Sequence, residues 1–179
     1  MALEIERKYL IRMPDVKMLE TLPGVEIWKI VQTYLTDGEN GESRRVRIVA
    51  QNGAETYFHT VKRHITNLTR AERECEISRA EYDRLLLDAD PQGKPIHKTR
   101  YRVPYRDQLL EIDVYAFWQD RATLEIELQS EAQRIELPEW VQIIRDVSAE
   151  KRYTNRQLAR QIPMENIEPI HRRQRMEQK

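Results

Sequence analysis

The feature that most constrains this fold is an alternation of charged and apolar residues that recurs along the chain. Successive side chains of a β-strand point to opposite faces, so a period of two indicates strands, and intervening turn residues indicate antiparallel pairing. The first segment, LEIERKYLI, carries Glu4, Glu6 and Lys8 on one face. The same face of the later segments carries Arg45 and Arg47, then Lys62, then Glu72, Glu74 and Glu76, then Lys98, Arg100 and Arg102, then Glu111 and Asp113, and finally Glu125 and Glu127.

The pattern predicts eight strands, at residues 3–11, 28–36, 43–50, 57–63, 71–78, 97–106, 108–117 and 121–129. Asn52-Gly53 predicts a tight hairpin between the third and fourth strands. Short helices are predicted at residues 14–23, at 78–90 with Ser78 as the cap, around Glu131 to Ile135, and at 150–161, with a segment opened by Pro138 before the last.

The charged faces allow two arrangements. A sheet with one face in water would usually mix Thr, Ser, Gln and Lys at its polar positions, whereas here nearly all are ionisable and each strand tends to one sign. Like charges two residues apart on a strand repel unless opposite charge lies between them. We therefore predict an α+β fold: a closed, eight-stranded antiparallel β-barrel with a charged lumen, flanked by amphipathic helices.

The charges also indicate what such a lumen would bind. Arginine and lysine suit phosphate oxygens, and paired carboxylates suit a hard cation such as Mg²⁺ that shares its ligands with substrate phosphates. The sequence has no glycine-rich phosphate loop and only five glycines, so side chains must bind the phosphates. The lumen is predicted to hold a polyphosphate and a metal ion.

Composition argues against several other classes of protein. Thirty basic and thirty acidic residues give zero net charge, which does not favour a nonspecific nucleic-acid binder. The single cysteine, Cys75, excludes an intramolecular disulfide, and its alternation with the acids predicts burial in the outer core. With no apolar leader and no apolar run of membrane-spanning length, we expect a cytoplasmic protein without a membrane partner.

Glu4-Ile5-Glu6-Arg7-Lys8 resembles the E-x-E-x-K signature of the CYTH proteins, or triphosphate tunnel metalloenzymes. QTYL, RVRI, TVK, EREC, KTRY, EIDVY, LEIEL and EKRYTN follow in the family's order. The resemblance covers residues 3 to about 162. It implies a CYTH domain at residues 1–162 and a charged C-terminal tail at 163–179.

The resemblance also implies roles for individual residues. The implied metal ligands are Glu4, Glu6, Glu125, Glu127 and Asp113, holding Mg²⁺ or Mn²⁺. The implied phosphate ligands are Lys8, Arg45, Arg47, Lys62, Lys98, Arg100 and Lys151. Glu127 or Asp113 is a candidate for orienting the attacking water, Lys8 and Tyr34 are further catalytic candidates, and Glu72 and Glu74 look like partners of the bases or of a second metal.

The family divides by substrate, so alternatives remain. The compact chain is most similar to small bacterial members, which favours hydrolysis of inorganic tripolyphosphate to pyrophosphate and phosphate. Three other functions are possible for such a chain: an adenylate cyclase, a thiamine triphosphatase, or a noncatalytic module that binds polyphosphate or a nucleotide. The sequence also allows a homodimer. Trp28, Trp118 and Trp140 are expected to pack in the core rather than to stack on a base.

Overall fold

The computed structural model describes residues 2–38, 41–66, 69–130 and 132–167, with the side chains of residues 2–4, 64, 69 and 70 left aside. The strands are β1 (Ala2–Arg12), β2 (Glu26–Tyr34), β3 (Ser43–Gln51), β4 (Ala54–His64), β5 (Thr69–Ile77), β6 (Ile96–Tyr105), β7 (Gln108–Tyr115), β8 (Arg121–Glu127) and β9 (Ile143–Asp146). The α-helices are α1 (Val16–Leu19), α2 (Arg79–Leu85) and α3 (Asn155–Arg160), with 3₁₀ turns at Leu86–Asp88 and Lys151–Tyr153.

Tight turns set the register of the hairpins. Asn52 and Gly53 both have positive φ, 51° and 80°, and they join β3 to β4 where Gln51 pairs with Ala54. Two successive residues with positive φ are what a type I′ turn requires, which is why Asn-Gly is favoured there. The predicted hairpin is confirmed, and the register that follows places Arg45 opposite Thr60 on the charged face.

The strands form one antiparallel sheet in the order β5-β4-β3-β2-β6-β7-β8-β1-β9, and β5 also pairs with β1. One edge of β1 pairs with β8 from Glu6 to Arg12. The other edge is shared: β5 pairs with Ala2 to Ile5, and β9 pairs with Tyr9 to Ile11. Between them, the backbone of Lys8 accepts a hydrogen bond from the N–H of Val147.

The prediction of eight strands closed into a barrel is therefore wrong in its count and in the extent of its closure. There are nine strands, and β5 meets β1 at only four register pairs. The reason lies in β1, which has eleven residues and extends beyond the reach of β5. Its remaining backbone groups need partners, and the short β9 supplies them.

The apolar faces of the strands form the core outside the charged face. Leu110, Ile112, Leu124 and Ile126 are all fully buried and belong to one cluster, against which α1 places Leu19. A second cluster packs Leu158 of α3 beside residues of β6 and β7, and a third packs α2 against β3. The helices thus cover parts of the outer face, as predicted for amphipathic elements.

The helices are shorter than predicted. Asp15 caps α1 and Ser78 caps α2, where the N–H of Glu81 donates to Ser78 Oγ at 3.1 Å, so both predicted starts are confirmed. The helix expected around Glu131 to Ile135 is wrong: residues 132–137 form a turn and irregular chain, and residue 131 lies outside the description. No helix in the described ranges is long and apolar enough to cross a membrane.

Candidate functional site

A cavity of about 430 Å³ lies on the charged face of the sheet. Its described lining is mostly ionisable, with contributions from eight of the strands and from the start of α3. The basic lining residues are Lys8, Arg45, Arg47, Lys62, Arg100 and Arg156. The acidic ones are Glu6, Glu72, Glu74, Glu111, Glu125 and Glu127. A cavity of this size is within the range of small-molecule sites.

The acids of β1 and β8 lie side by side because these strands are in register. Glu6 is paired with Glu127, and Lys8 with Glu125. Directly opposed residues of an antiparallel pair have Cβ atoms about 4.5–5.5 Å apart. Lys8 Nζ lies 2.9 Å from Glu125 Oε1. The wall therefore presents two neighbouring carboxylates beside a salt-bridged lysine.

The opposite part of the lining is basic and is held by acids of β5. Arg47 Nη2 donates to both oxygens of Glu74 at 2.7 Å, and Thr60 Oγ1 donates to the same carboxylate at 2.6 Å. Lys62 forms an ion pair with Glu72. These contacts agree with the predicted role of the two acids as partners of the bases.

Burial and neighbouring charge shift the pKa values of this wall. Burial alone would raise the pKa of Glu74, but Arg47 and the Thr60 hydroxyl outweigh it and lower that pKa below its usual value. Burial, reinforced by Arg45, lowers the pKa of Arg47 to about 10. Arg47 is thus charged at neutral pH but is held in a costly environment, which an incoming anion would relieve.

Arg100 connects the two walls. Its Nε and Nη2 donate to Asp113 Oδ1 and Oδ2, each at 2.7 Å, while Nη2 also donates to Glu125 at 2.7 Å and Nη1 pairs with Glu111. Burial would raise the pKa of Glu125, but Lys8 and Arg100 outweigh it and hold that pKa well below its usual value. Arg100 is therefore fixed in orientation by three carboxylates.

Two predicted site residues lie behind the lining. Asp113 is fully buried, and its Oδ2 accepts from Lys98 Nζ at 2.5 Å. Burial lowers the pKa of Lys98 to about 7, against the pull of Asp113 and with Arg100 adding to the decrease. Neither residue lines the cavity, so both contact its ligand region only through Arg100.

Two other predicted residues are not among the described lining residues, for different reasons. Lys151 is an exposed residue of the 3₁₀ turn Lys151–Tyr153 and is not among the described lining residues. The backbone of Glu4 pairs with that of Arg70 in β1 and β5, but its side chain lies outside the description. Tyr34 does line the cavity, and Gln32 Nε2 donates to its hydroxyl at 3.4 Å.

Sequence reasoning missed residues on both sides of the cavity. Trp28 lines it rather than packing in the core. Its even spacing from Tyr34 on β2 was a usable signal for a shared face. Arg156 lines it from α3, bonded to Asp37 at 2.8 Å and lying 5.6 Å from the centre of the Tyr34 ring. Cys75, predicted to be buried, is exposed.

The CYTH domain family model matches residues 2–162 of this sequence. The chain belongs to the CYTH domain family. This confirms the resemblance inferred from the motifs. No curated protein matches the chain in sequence.

Solved structures support the same CYTH fold. The structure titled "inorganic triphosphatase NE1496" has 30% sequence identity and a TM-score of 0.55, and the match covers 92% of this chain and 99% of that one. The PH1819 protein from Pyrococcus horikoshii OT3 has 20% identity and a TM-score of 0.53, covering 72% of this chain and 80% of that one. At this lower identity, the likeness shows the fold alone.

The carboxylates that line this cavity are suited to holding a divalent metal ion. Glu6 and Glu127 are register-paired carboxylates on its lining, and directly opposed like charges are destabilising unless a cation lies near them. The described residues contain no group of three metal-ligating side chains. Mg²⁺ is commonly held by one or two carboxylates together with waters and substrate phosphates, so two carboxylates suffice for that mode.

Proposed function

We propose that this protein hydrolyses a triphosphate with the help of a divalent metal ion, and that the substrate is inorganic tripolyphosphate. The observation that carries the proposal is the cavity, where a basic wall around Arg45 and Arg47 faces paired carboxylates, Glu6 and Glu127, with Arg100 connecting the two walls. A polyanion would add to the acids that hold the bases of one wall, and a cation would reduce the repulsion between the paired carboxylates of the other. The similarity to a structure titled as an inorganic triphosphatase supports the choice of substrate.

The proposed substrate position follows from the cations. Arg45, Arg47 and Lys62 would bind phosphate oxygens on one side, and Lys8 and Arg100 on the other. Burial would lower the pKa of Arg45, but Tyr34 and Glu72 outweigh it and raise that pKa above its usual value, so its charge is permanent. Fixed, desolvated cations stabilise the charge that develops on phosphoryl oxygens in the transition state.

The reaction forms a bond between a water oxygen and the terminal phosphorus and breaks the bond from that phosphorus to its bridging oxygen. The bridging electron pair stays on pyrophosphate, and the water proton leaves to a base. Glu127 lines the cavity and is our candidate for orienting this water. Asp113, enclosed by Lys98 and Arg100, is better suited to positioning Arg100 than to touching water or metal.

Glu6, Glu127 and Glu125 would hold the metal ion, with Glu4 as the further predicted ligand. When bound, Mg²⁺ or Mn²⁺ would supply charge neutralisation at phosphate oxygens and activation of water. Glu125 already accepts hydrogen bonds from Lys8 and Arg100, so it would bind the metal ion while keeping these two contacts. We further propose that residues 1–162 form the catalytic domain and that the protein acts in the cytoplasm.

A noncatalytic phosphate-binding module is the competing class. The carboxylates beside the proposed polyanion site favour an enzyme, because they repel an anion unless a cation is also bound. Thiamine triphosphate hydrolysis and cyclisation of ATP remain alternative outcomes for the same cavity. These alternatives differ in products and can be separated in one assay.

The test compares Glu6→Gln with Glu76→Gln, a matched change on β5 at an exposed residue outside the lining. Phosphate release from tripolyphosphate, thiamine triphosphate and ATP is measured with Mg²⁺ or Mn²⁺, with cAMP followed in parallel. We expect tripolyphosphate to be preferred, E6Q to abolish turnover without lowering the melting temperature, and E76Q to retain turnover. Unchanged turnover in E6Q would reject the assignment, and no release from any compound would favour the binding module.

A further inference from the structure

Trp28 is the one large aromatic side chain besides Tyr34 in the described lining of an otherwise charged cavity. Its indole Nε1 is buried and finds no hydrogen-bond partner among the described residues. Because this N–H has almost no accessible surface, the part of the ring that faces the cavity consists of carbon atoms, which do not neutralise an anion. Moving a phosphate against such a surface removes water from it without replacing the lost hydrogen bonds.

Trp28 also marks where the cavity ends. On β2, the next residue on the same face is Glu26, whose side chain is 46% exposed and does not line the cavity. On β6, Arg100 lines the cavity, whereas Arg102, two residues further, does not and is 23% exposed. Beyond Trp28, both neighbouring strands thus pass from the cavity to solvent.

Arg102 supports the ring from this outer end. Its guanidinium carbon lies 4.3 Å from the centre of the Trp28 ring, a distance typical of a stacked cation–π contact. Arg102 is itself held by Glu111, at 3.0 Å from Nε, and by Glu26, at 2.7 Å from Nη1. Two acids on different strands fix the guanidinium, so the ring cannot turn aside without breaking this contact.

We propose that Trp28, supported by Arg102, is an end wall that limits the length of the phosphate chain that the cavity accepts. A linear triphosphate fits between this wall and the basic residues, whereas a fourth phosphate, or an organic group on the phosphate at that end, meets the indole. The inference rests on the proposed function and deepens it, because it assigns the selection for a short, unsubstituted polyphosphate to one side chain.

The test measures kcat/KM for linear tripolyphosphate and linear tetrapolyphosphate, and follows their ratio. We expect the unmodified protein to favour tripolyphosphate and Trp28→Ala to lower that preference by about tenfold or more, a usual effect of enlarging a pocket. Trp28→Phe keeps an aromatic wall and should keep most of the preference. Trp140→Ala, a tryptophan change in the outer core, controls for loss of stability and should leave the ratio unchanged.

Arg102→Gln is the second variant, and it covers the case in which W28A does not fold. It leaves the Trp28 ring in place and removes its cation–π support, together with one contact of the lining residue Glu111, so the preference should fall, by less than in W28A. A ratio that stays the same in both W28A and R102Q would overturn the inference. So would an unmodified protein that accepts both chains equally.

A binding arm separates this inference from the proposed function. Calorimetric titration of both polyphosphates without metal measures the two dissociation constants directly. If no hydrolysis occurs but tripolyphosphate binds more tightly and W28A removes the difference, the end wall stands and the hydrolase fails. Equal binding of the two compounds by the unmodified protein overturns the wall regardless of activity.

Discussion

Replacing Asp113 by asparagine should destabilise this protein far more than a neutralisation at its surface. Asp113 has no solvent exposure, and its two oxygens receive Lys98 at 2.5 Å and Arg100 at 2.7 Å. Burial would raise the pKa of this carboxyl, but Arg100 and Lys98 outweigh it and lower that pKa. The carboxylate is therefore charged at neutral pH and is the counter-ion of two buried bases. Arg100 is charged, and Lys98 is partly charged because burial lowers its pKa to about 7.

The magnitude follows from removing the carboxylate that Lys98 and Arg100 share, while Arg100 keeps its contacts with Glu111 and Glu125. Removing one partner of a buried ion pair costs about 3–5 kcal/mol, because the remaining charge is buried without compensation. For a domain of this size, each kcal/mol lowers the melting temperature by about 2–4 °C, which gives a decrease of roughly 6–20 °C. Lys98→Met in the D113N background removes one of the two cations and should recover part of the loss.

Urea unfolding followed by tryptophan fluorescence measures the free energy of unfolding of D113N, K98M, the double variant and the unmodified protein. Asp83→Asn is the control, because its ion pair with Arg79 lies on the surface of α2 and exposed pairs contribute little. A loss below about 1 kcal/mol in D113N would be the value of an ordinary hydrogen bond. A loss that small in D113N, or losses of D113N and K98M that simply add in the double variant, would refute the buried network of Asp113, Lys98 and Arg100.

Three further predictions follow from the site and its supports. Asp90 accepts from Arg160 at 2.6 Å, which with the N–H of Gln92 outweighs burial and lowers its pKa. Asp90→Asn should therefore cost about 1.5–3 kcal/mol at pH 7. In unfolding experiments from pH 7 to 2 the deficit should begin to shrink below about pH 4, where the unfolded carboxylate takes up its proton, and should go on shrinking until the folded carboxylate, whose pKa is lower, is also protonated. Arg47→Lys loses the two-oxygen contact with Glu74 and should weaken calorimetric binding of tripolyphosphate at least about tenfold; equal affinity would remove Arg47 from the site. In a thermal shift assay, tripolyphosphate at 100 times its dissociation constant should stabilise the unmodified protein by about 2.7 kcal/mol, and it should not stabilise Arg100→Ala.

The sequence was sufficient to predict which side chains share a face. A strict period of two in β1 and β8 fixes the direction of each residue once one face is known to be inside. Glu6, Glu127 and Lys8 therefore reach the cavity as predicted. The Asn52-Gly53 turn was predictable for the same reason, since its backbone requirement is local.

How deeply each side chain is buried was less predictable from the sequence than the face of the sheet to which it points. Lys98 and Arg100 point to the same face of β6. Lys98 nevertheless lies behind the lining, because its amine donates to the buried carboxylate of Asp113. Arg156 reaches the cavity because α3 is held in place by long-range contacts, such as that of Arg160 with Asp90. No local periodicity in a six-residue helix encodes those contacts.

The ninth strand was missed because its signal is short. Ile143–Asp146 has only four residues and shows no alternation that separates it from a loop. It becomes a strand because β1 offers unpaired backbone groups at Tyr9 to Ile11. Such a partner, more than 130 positions away, can be seen only when the chain is folded.

The sharing of β1 among β5, β8 and β9 has a consequence for the order of folding. β1 must wait for β9, more than 130 positions later in the sequence, before its backbone at Tyr9 to Ile11 is paired on both edges. Pairings so distant along the chain form slowly, because each requires a large loop to close. The charged cavity is thus a late product of folding, because Glu6 and Lys8 are enclosed in it only when strands from the distant part of the sequence have joined β1.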